Sequence, residues 1–156
     1  MKEKFKVIIA DDNEPIREYL ESVLKEIEYV ELIGKARDGQ EELEMIKELN
    51  PDIVLTDNDM PNLKGIEVIE KVKAEMNDNA PMFYMLTGLI DQEMMAKLFE
   101  LKVEGSFRKP FQKEKLIKEF NRLLAEKDRP IIDKNIRQKN ETKKESLFKR
   151  ILNKLK

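Results

Sequence analysis

The chain has 156 residues, 40% hydrophobic and 40% charged, with a net charge of −2, which is room for one domain with one core under a charged surface of mixed sign. It contains no Cys and no His, so disulfides, thiolate metal sites, Cys nucleophiles, imidazole triads and a histidine phosphocarrier role are excluded. A strand pattern begins within a few residues of Met1, leaving no room for a signal peptide. No apolar run approaches a membrane span, and the absence of Cys fits a reducing, cytoplasmic setting.

In chain order, Phe5 to Ala10 is an apolar strand. Asp11-Asp12-Asn13 follows, with Asp12 or Asn13 placed to cap a helix that carries Pro15 in its first turn. That helix is expected to run to about Glu28, with Ile16, Leu20, Val23, Leu24 and Ile27 on one face. Val30 to Ala36 suits an edge strand. After the Asp38-Gly39 turn, a second helix spans 39–49. The stretch Asp52-Ile53-Val54-Leu55-Thr56-Asp57 is an apolar run that ends on a carboxylate, followed by a turn rich in Asn, Pro and Gly. A buried parallel strand reads this way. A third helix covers about 65–75. Met82 to Thr87 is a strand closed by Gly88, and a fourth helix lies at about 91–102, with Met94 and Met95 as core filler. Ser106 to Lys109 is a short last strand closed by Pro110, and a fifth helix spans about 112–126. Five strands alternating with five helices predict an α/β fold with a doubly wound parallel sheet.

Residues 127–141 are polar and unpatterned and are expected to be a linker. Thr142-Lys143-Lys144-Glu145 has the form of a capping box, ahead of a short amphipathic helix carrying Leu147, Phe148, Ile151, Leu152 and Leu155. Residues 134–156 hold nine Lys and Arg against two Glu, a net of +7, which leaves −9 on the rest of the chain. An acidic domain with a basic tail has two kinds of partner to accommodate.

The chemistry is expected at the strand ends. In open parallel sheets ligands bind outside the C-terminal ends of the strands. Asp11 and Asp12 end strand one, Asp57 ends strand three, Thr87 and Gly88 end strand four, and Lys109 ends strand five. Singly, the aspartates are cap or turn residues, Thr87 a strand residue and Lys109 a solvated charge. Jointly they bring three carboxylates, a hydroxyl and an ammonium to one rim. Two carboxylates about 4 Å apart repel by roughly 4 kcal/mol near a protein surface, so such a cluster must bind a cation, hold a proton or splay apart. All-oxygen ligands favour Mg²⁺ or Mn²⁺ before Zn²⁺.

With these residues in place, the chain resembles the receiver domain of bacterial two-component response regulators, the CheY family. The motifs are Ile9-Ala10-Asp11-Asp12-Asn13, Asp52 to Gly65 with Met60-Pro61, Leu86-Thr87-Gly88 and Lys109-Pro110-Phe111. Val30 to Leu43 is similar to receivers of the Spo0A and NarL types. The resemblance covers about residues 4–126 and implies the flavodoxin-like strand order 2-1-3-4-5, a family property of CheY. It implies Asp57 as phosphoacceptor from phosphohistidine of a sensor histidine kinase or phosphotransfer protein, or from a small acyl phosphate. It also implies Mg²⁺ held by Asp11, Asp12, Asp57 and the backbone carbonyl of Asp59. Thr87 and Lys109 would contact phosphoryl oxygens, and the Lys109–Pro110 bond would be cis. Such a protein is not an enzyme beyond phosphorylation and dephosphorylation of its own Asp57. A phosphorylation-dependent homodimer fits the family.

Two departures stand out. The family's switch aromatic, three residues before the Lys, is here Ser106, with Phe107 one residue later and so on the other face of the strand. Asp59 adds a carboxylate two residues after the acceptor. The expected organisation is a receiver over 1–126, a linker over 127–141 and a basic helix over 142–156, with too few residues after the fifth helix for an ordinary DNA-binding output domain. The competing expectation is a receiver-shaped interaction module that is never phosphorylated. It would act through residues 142–156 on a membrane surface, a protein or nucleic acid.

Overall fold

The computed structural model describes residues 4–127 and 147–154. The expected linker over 127–141, all but its first residue, lies outside them, as do the Thr142–Glu145 capping box and Leu155. The chain parts into two compact units, Met1–Lys113 and Glu114–Lys156.

The first unit is a five-stranded parallel sheet: β1 (Phe5–Ala10), β2 (Val30–Ala36), β3 (Ile53–Asp57), β4 (Met82–Thr87) and β5 (Gly105–Arg108). Their order is β2-β1-β3-β4-β5, which is the doubly wound arrangement expected. Four helices connect them: α1 (Glu14–Lys25), α2 (Gly39–Leu49), α3 (Gly65–Met76) and α4 (Gln92–Glu100). Every residue of β3 is buried, as a strand flanked on both edges and covered on both faces should be. Asp52 sets its start. The Asp52 amide donates to the Lys6 carbonyl, and the Asp52 carbonyl accepts from the Met82 amide. The Asp52 carboxylate also accepts from the Lys6 amide at 2.8 Å. The strand is thereby registered against β1 and β4 before its apolar run begins.

One core cluster joins Ile8, Val54, Phe83 and Met85 of the sheet to Leu43 and Ile46 of α2, Ile66, Val68, Ile69 and Val72 of α3, and Leu98 of α4. Outside that cluster, α1 buries Leu20, Val23 and Leu24 and packs on β1 and β2. Side-chain caps start three helices. Asn13 accepts from the Ile16 amide, Asp38 from Glu41 and Asp91 from Met94. Each satisfies an amide that has no partner within its helix.

Three expectations are corrected. The first helix ends at Lys25 rather than near Glu28, because the amides of Glu26, Ile27 and Val30 bond carbonyls three residues back. These tight turns end the helix and still fold Ile27 into the core. The fourth helix is shorter than read, and Met94 and Met95 are only half-buried while Leu98 is buried, so the methionines flank the core rather than fill it. The last strand runs one residue earlier, Gly105–Arg108, and Lys109 follows it. The Lys109 amide nonetheless donates to the Thr87 carbonyl, so the lysine remains tied to the end of β4.

The helix α5 runs from Lys113 to Lys127 and belongs to the second unit from Glu114 onward, with Leu116, Phe120 and Leu123 buried. A short helix α6 spans 147–154, on which Leu147 and Ile151 are exposed.

Candidate functional site

The ends of β1 and β3 are neighbours because Ala10 pairs with Thr56. Asp11 and Asp57 therefore emerge side by side. Asp11 is fully buried, and Asp57 is nearly so at 4% exposure, which is unusual for carboxylates. Asp11 is held on every side. Its amide donates to the Ala36 carbonyl, its Oδ1 accepts from the Asn13 amide at 3.0 Å, and its carbonyl accepts from Arg17 at 2.7 Å. Asn13, not Asp12, caps α1, so the exposed Asp12 carboxylate takes no part in the cap. Carboxylate oxygens of Asp11, Asp12 and Asp57 come within 4.8 Å of one another.

Lys109 closes the group from the β5 side. Its Nζ is 3.0 Å from Asp11 Oδ2 and 3.4 Å from Asp57 Oδ1, across 98 residues of sequence from Asp11. The Lys109–Pro110 peptide is cis. Burial pushes the Asp57 carboxyl above the usual aspartate range, and Asp11 adds to this. Lys109 and the Asp59 amide oppose it without cancelling it. For Lys109, burial alone would lower the ammonium's pKa. The contacts with Asp11 and Asp57 outweigh it, and the net direction is upward. The lysine therefore stays charged between two carboxylates.

The remaining expected residues are placed less directly. Thr87 ends β4, but its hydroxyl donates to the Leu89 carbonyl at 2.7 Å. Asp59 donates its amide to Asp57 Oδ1 at 3.3 Å, and its own exposed carboxylate is not in the three-aspartate cluster. Ser106 is exposed and Phe107 buried. Phe107 stacks on Tyr84 with centroids 5.2 Å apart, on the face away from Ser106 as strand alternation requires.

The loop from β3 to α3 is fixed by its own polar groups. Asn58 Oδ1 accepts from the Ile66 amide at 3.1 Å, and the Asn58 carbonyl accepts from Gly65. A Cβ on Gly65 would lie 2.4 Å from the Asp57 carbonyl oxygen, so only glycine lets α3 start this close to the end of β3.

One residue at this site was not anticipated. Glu42 is fully buried. Its Oε2 lies 3.0 Å from the Thr56 hydroxyl, and its Oε1 has no partner. Desolvation pushes its carboxyl well above the ordinary glutamate range. The Thr56 hydrogen bond works against this, and the charge of Asp57 adds to it. The signal was in the spacing, since positions 39, 42, 43 and 46 form the buried face of α2, and one of them is a glutamate.

The family model for the response regulator receiver domain matches residues 7–121. The chain belongs to the response regulator receiver family. The receiver is 35% identical over 113 residues to the transcriptional regulatory protein LnrK of Bacillus subtilis, covering 72% of this chain and 50% of that protein. It is 36% identical over 83 residues to a protein-glutamate methylesterase/protein-glutamine glutaminase of Pseudoalteromonas atlantica, covering 53% of this chain and 22% of that one. The chain thus spans half or less of these relatives' length. Among solved structures, the receiver domain of NarL from Mycobacterium tuberculosis matches with a TM-score of 0.71 at 26% identity, over 82% of this chain and 100% of that one. The Vibrio cholerae chemotaxis protein CheY4 matches with a TM-score of 0.67 at 28% identity, over 76% of this chain and 98% of that one. The receiver fold and the acidic cluster compatible with Mg²⁺ are therefore both present here. Among the described residues no helix is long and apolar enough to cross a membrane.

Proposed function

We propose that this receiver accepts a phosphoryl group on Asp57 from phosphohistidine of a sensor kinase or phosphotransfer protein in the cytoplasm. A carboxylate oxygen of Asp57 attacks phosphorus, the P–N bond breaks, and its electron pair returns to the imidazole nitrogen of the donor, which takes up a proton. The product is an acyl phosphate on Asp57, labile enough to be a timed signal. The observation that carries this reading is Lys109 held 3.0 Å from Asp11 and 3.4 Å from Asp57 beside a third carboxylate.

The donor set fits a hard divalent cation, since three carboxylates converge with no nitrogen or sulfur ligand. Asp11, Asp12, Asp57 and the Asp59 carbonyl would hold Mg²⁺, or Mn²⁺ as second choice. The bound cation would supply neutralisation of charge on the transferring phosphoryl oxygens. The chain's own groups do the rest. Lys109 pairs with a phosphoryl oxygen in place of Asp57, keeping Asp11 as its second partner. Thr87 exchanges the Leu89 carbonyl for a phosphoryl oxygen, which frees the 84%-exposed Leu89 segment to change its contacts. Gly88 has nothing within 4 Å of a notional Cβ, so the space around the end of β4 is open. We keep the receiver at 1–126, with residues 127–141 as linker and 142–156 as a basic helix that reaches a partner. Phosphorylation would alter that partner choice or promote a homodimer.

The test is intact-protein mass spectrometry after incubation with acetyl phosphate and Mg²⁺. The parent gains one phosphoryl group, and Asp57→Asn and a chelator-treated sample gain none. Uptake by Asp57→Asn, or none by the parent, rejects the reading. The second outcome favours the alternative, an unphosphorylated module acting through its basic helix, for which the exposed Leu147 and Ile151 speak.

A further inference from the structure

Beneath Asp57, on the side away from the cluster, the contacts of Thr56 pose a proton-counting problem. Its single hydroxyl lies 3.0 Å from Glu42 Oε2 and 3.3 Å from the Asp57 carbonyl oxygen. Both are acceptors if Glu42 is ionised, and one hydroxyl hydrogen cannot serve both fully. If Glu42 carries a proton the contacts resolve. The acid donates to Thr56 Oγ1, and Thr56 donates to the Asp57 carbonyl. The surroundings agree. Glu42 is fully buried, on the helix face shared with Leu43 and Ile46. No ion pair among the described residues involves it. Its second oxygen has no partner. An ionised carboxylate so placed would be an uncompensated buried charge, whereas a neutral acid leaves only one carbonyl oxygen unsatisfied.

We propose that Glu42 is a positioning residue for Asp57. As a neutral carboxylic acid it donates to the Thr56 hydroxyl, which donates to the Asp57 carbonyl, and this chain fixes the backbone from which the Asp57 carboxylate reaches the acidic cluster. The relay joins three elements at one point. Glu42 comes from α2 and Thr56 from β3. At the start of α3, Gly65 is packed so closely that a Cβ would meet Thr56 Oγ1 at 2.8 Å and the Asp57 carbonyl at 2.4 Å. A rotation of the Asp57 peptide, which would swing its carboxylate away from Lys109, has to break the relay or push α3 aside. The assignment rests on the phosphoryl-accepting role of Asp57.

The experiment compares the full chain with Glu42→Gln, Glu42→Leu, Thr56→Val and the Glu42→Leu/Thr56→Val double variant. It measures the rate of Asp57 phosphorylation by acetyl phosphate with Mg²⁺, the melting temperature of each variant, and the ¹³C shift of the Glu42 carboxyl. Glutamine keeps an N–H donor towards Thr56 and retains the parent rate. Thr56→Val loses both links and slows phosphorylation roughly three- to tenfold, the scale of one lost hydrogen bond. Glu42→Leu falls between, although replacing a buried carboxyl by an apolar group keeps or raises its melting temperature. A slower yet no less stable variant separates positioning from mere structural support. The double variant is no slower than Thr56→Val, because both changes break one chain. The Glu42 carboxyl reads as protonated at neutral pH. An ionised Glu42, parent rates in Glu42→Leu and Thr56→Val, or a Glu42→Gln as slow as Glu42→Leu would each overturn the relay. A parent that takes up no phosphoryl group overturns the phosphoryl-accepting reading itself, a result distinct from a reactive parent matched by its variants.

Discussion

A cluster of three aspartates and a lone glutamate lie on opposite sides of the end of β3, and the same chemistry is used in opposite ways. At the rim, Asp11, Asp12 and Asp57 come within 4.8 Å of one another, with Lys109 between two of them. On the far side, Glu42 is sealed against Thr56 with no ion pair among the described residues. The rim tolerates charge because an ammonium is built in, Asp12 reaches solvent, and a divalent ion can be recruited. The sealed site has none of these and can be stable only when neutral. On the proposed roles, partners and access to water, rather than residue type, decide whether a carboxyl acts as a ligand or as a hydrogen-bond donor.

The largest effect that should break this contrast comes from the rim. Asp12 is its exposed member and does not contact Lys109 among the described ion pairs. On the proposed reading, Asp12→Asn therefore removes a metal ligand and a source of repulsion together. Mg²⁺ affinity, measured by calorimetric titration, should fall at least tenfold or so, the loss typical of even an outer-shell partner. The melting temperature without Mg²⁺ should rise, most at low salt where repulsion is least screened. In the parent, added Mg²⁺ should raise the melting temperature by mass action, and in the variant by much less. If the variant binds Mg²⁺ as well as the parent, Asp12 is not part of the ion site.

A smaller effect comes from the sealed side, and its sign follows from the direction of the Glu42 shift. The folded-state pKa is raised, chiefly by burial, from an unfolded value of about 4.3. Above that value the unfolded chain releases a proton that the folded chain retains. Stability from this group is therefore full below about pH 4.3 and declines as pH rises towards the folded pKa. One proton limits the slope to about 1.4 kcal/mol per pH unit. Glu42→Gln cannot titrate, so its melting temperature should gain on the parent as pH is raised from 4 towards 7. Asp57, also shifted upward, titrates in both proteins and contributes alike to each while Glu42 stays neutral. A pH-independent difference would mean that Glu42 titrates alike folded and unfolded, and the contrast between the two sites would fail.

The rim was legible in the sequence and the sealed site was not, for a physical reason. Parallel strands put their last residues on one edge, so Asp11, Asp57, Thr87 and Lys109 could be grouped from strand endings alone. The strand order followed from the resemblance. Whether Thr87 turns its hydroxyl towards Asp57 or Leu89 is a rotamer choice, and no pattern of residue types encodes it. The limits of the last strand depended on whether Lys109 or Arg108 pairs last, a difference within the usual uncertainty of strand ends. Glu42 was overlooked because a glutamate in a helix otherwise rich in charge reads as solvated. Only its place among the buried positions 39, 42, 43 and 46 set it apart, and its partner Thr56 lies 14 residues away.

The finest test concerns a carboxylate that stands just outside the rim. Asp59 touches Asp57 through its backbone amide at 3.3 Å, while its side chain is exposed and outside the three-aspartate cluster. If its role in the metal site is through the carbonyl, its charge acts on a bound cation only across water. There, a carboxylate and a divalent cation about 8 Å apart change an equilibrium by no more than about sixfold. Asp59→Asn should accordingly shift Mg²⁺ affinity by less than that, and the shift should shrink further at about 0.15 M salt, where screening sets in within roughly 8 Å. The lifetime of the acyl phosphate should follow the same small change. A tenfold loss of affinity that salt does not touch would mean that the Asp59 carboxylate itself ligates the ion. The rim would then hold four acids rather than three, and the repulsion that the cation must relieve would be larger than the cluster of Asp11, Asp12 and Asp57 implies.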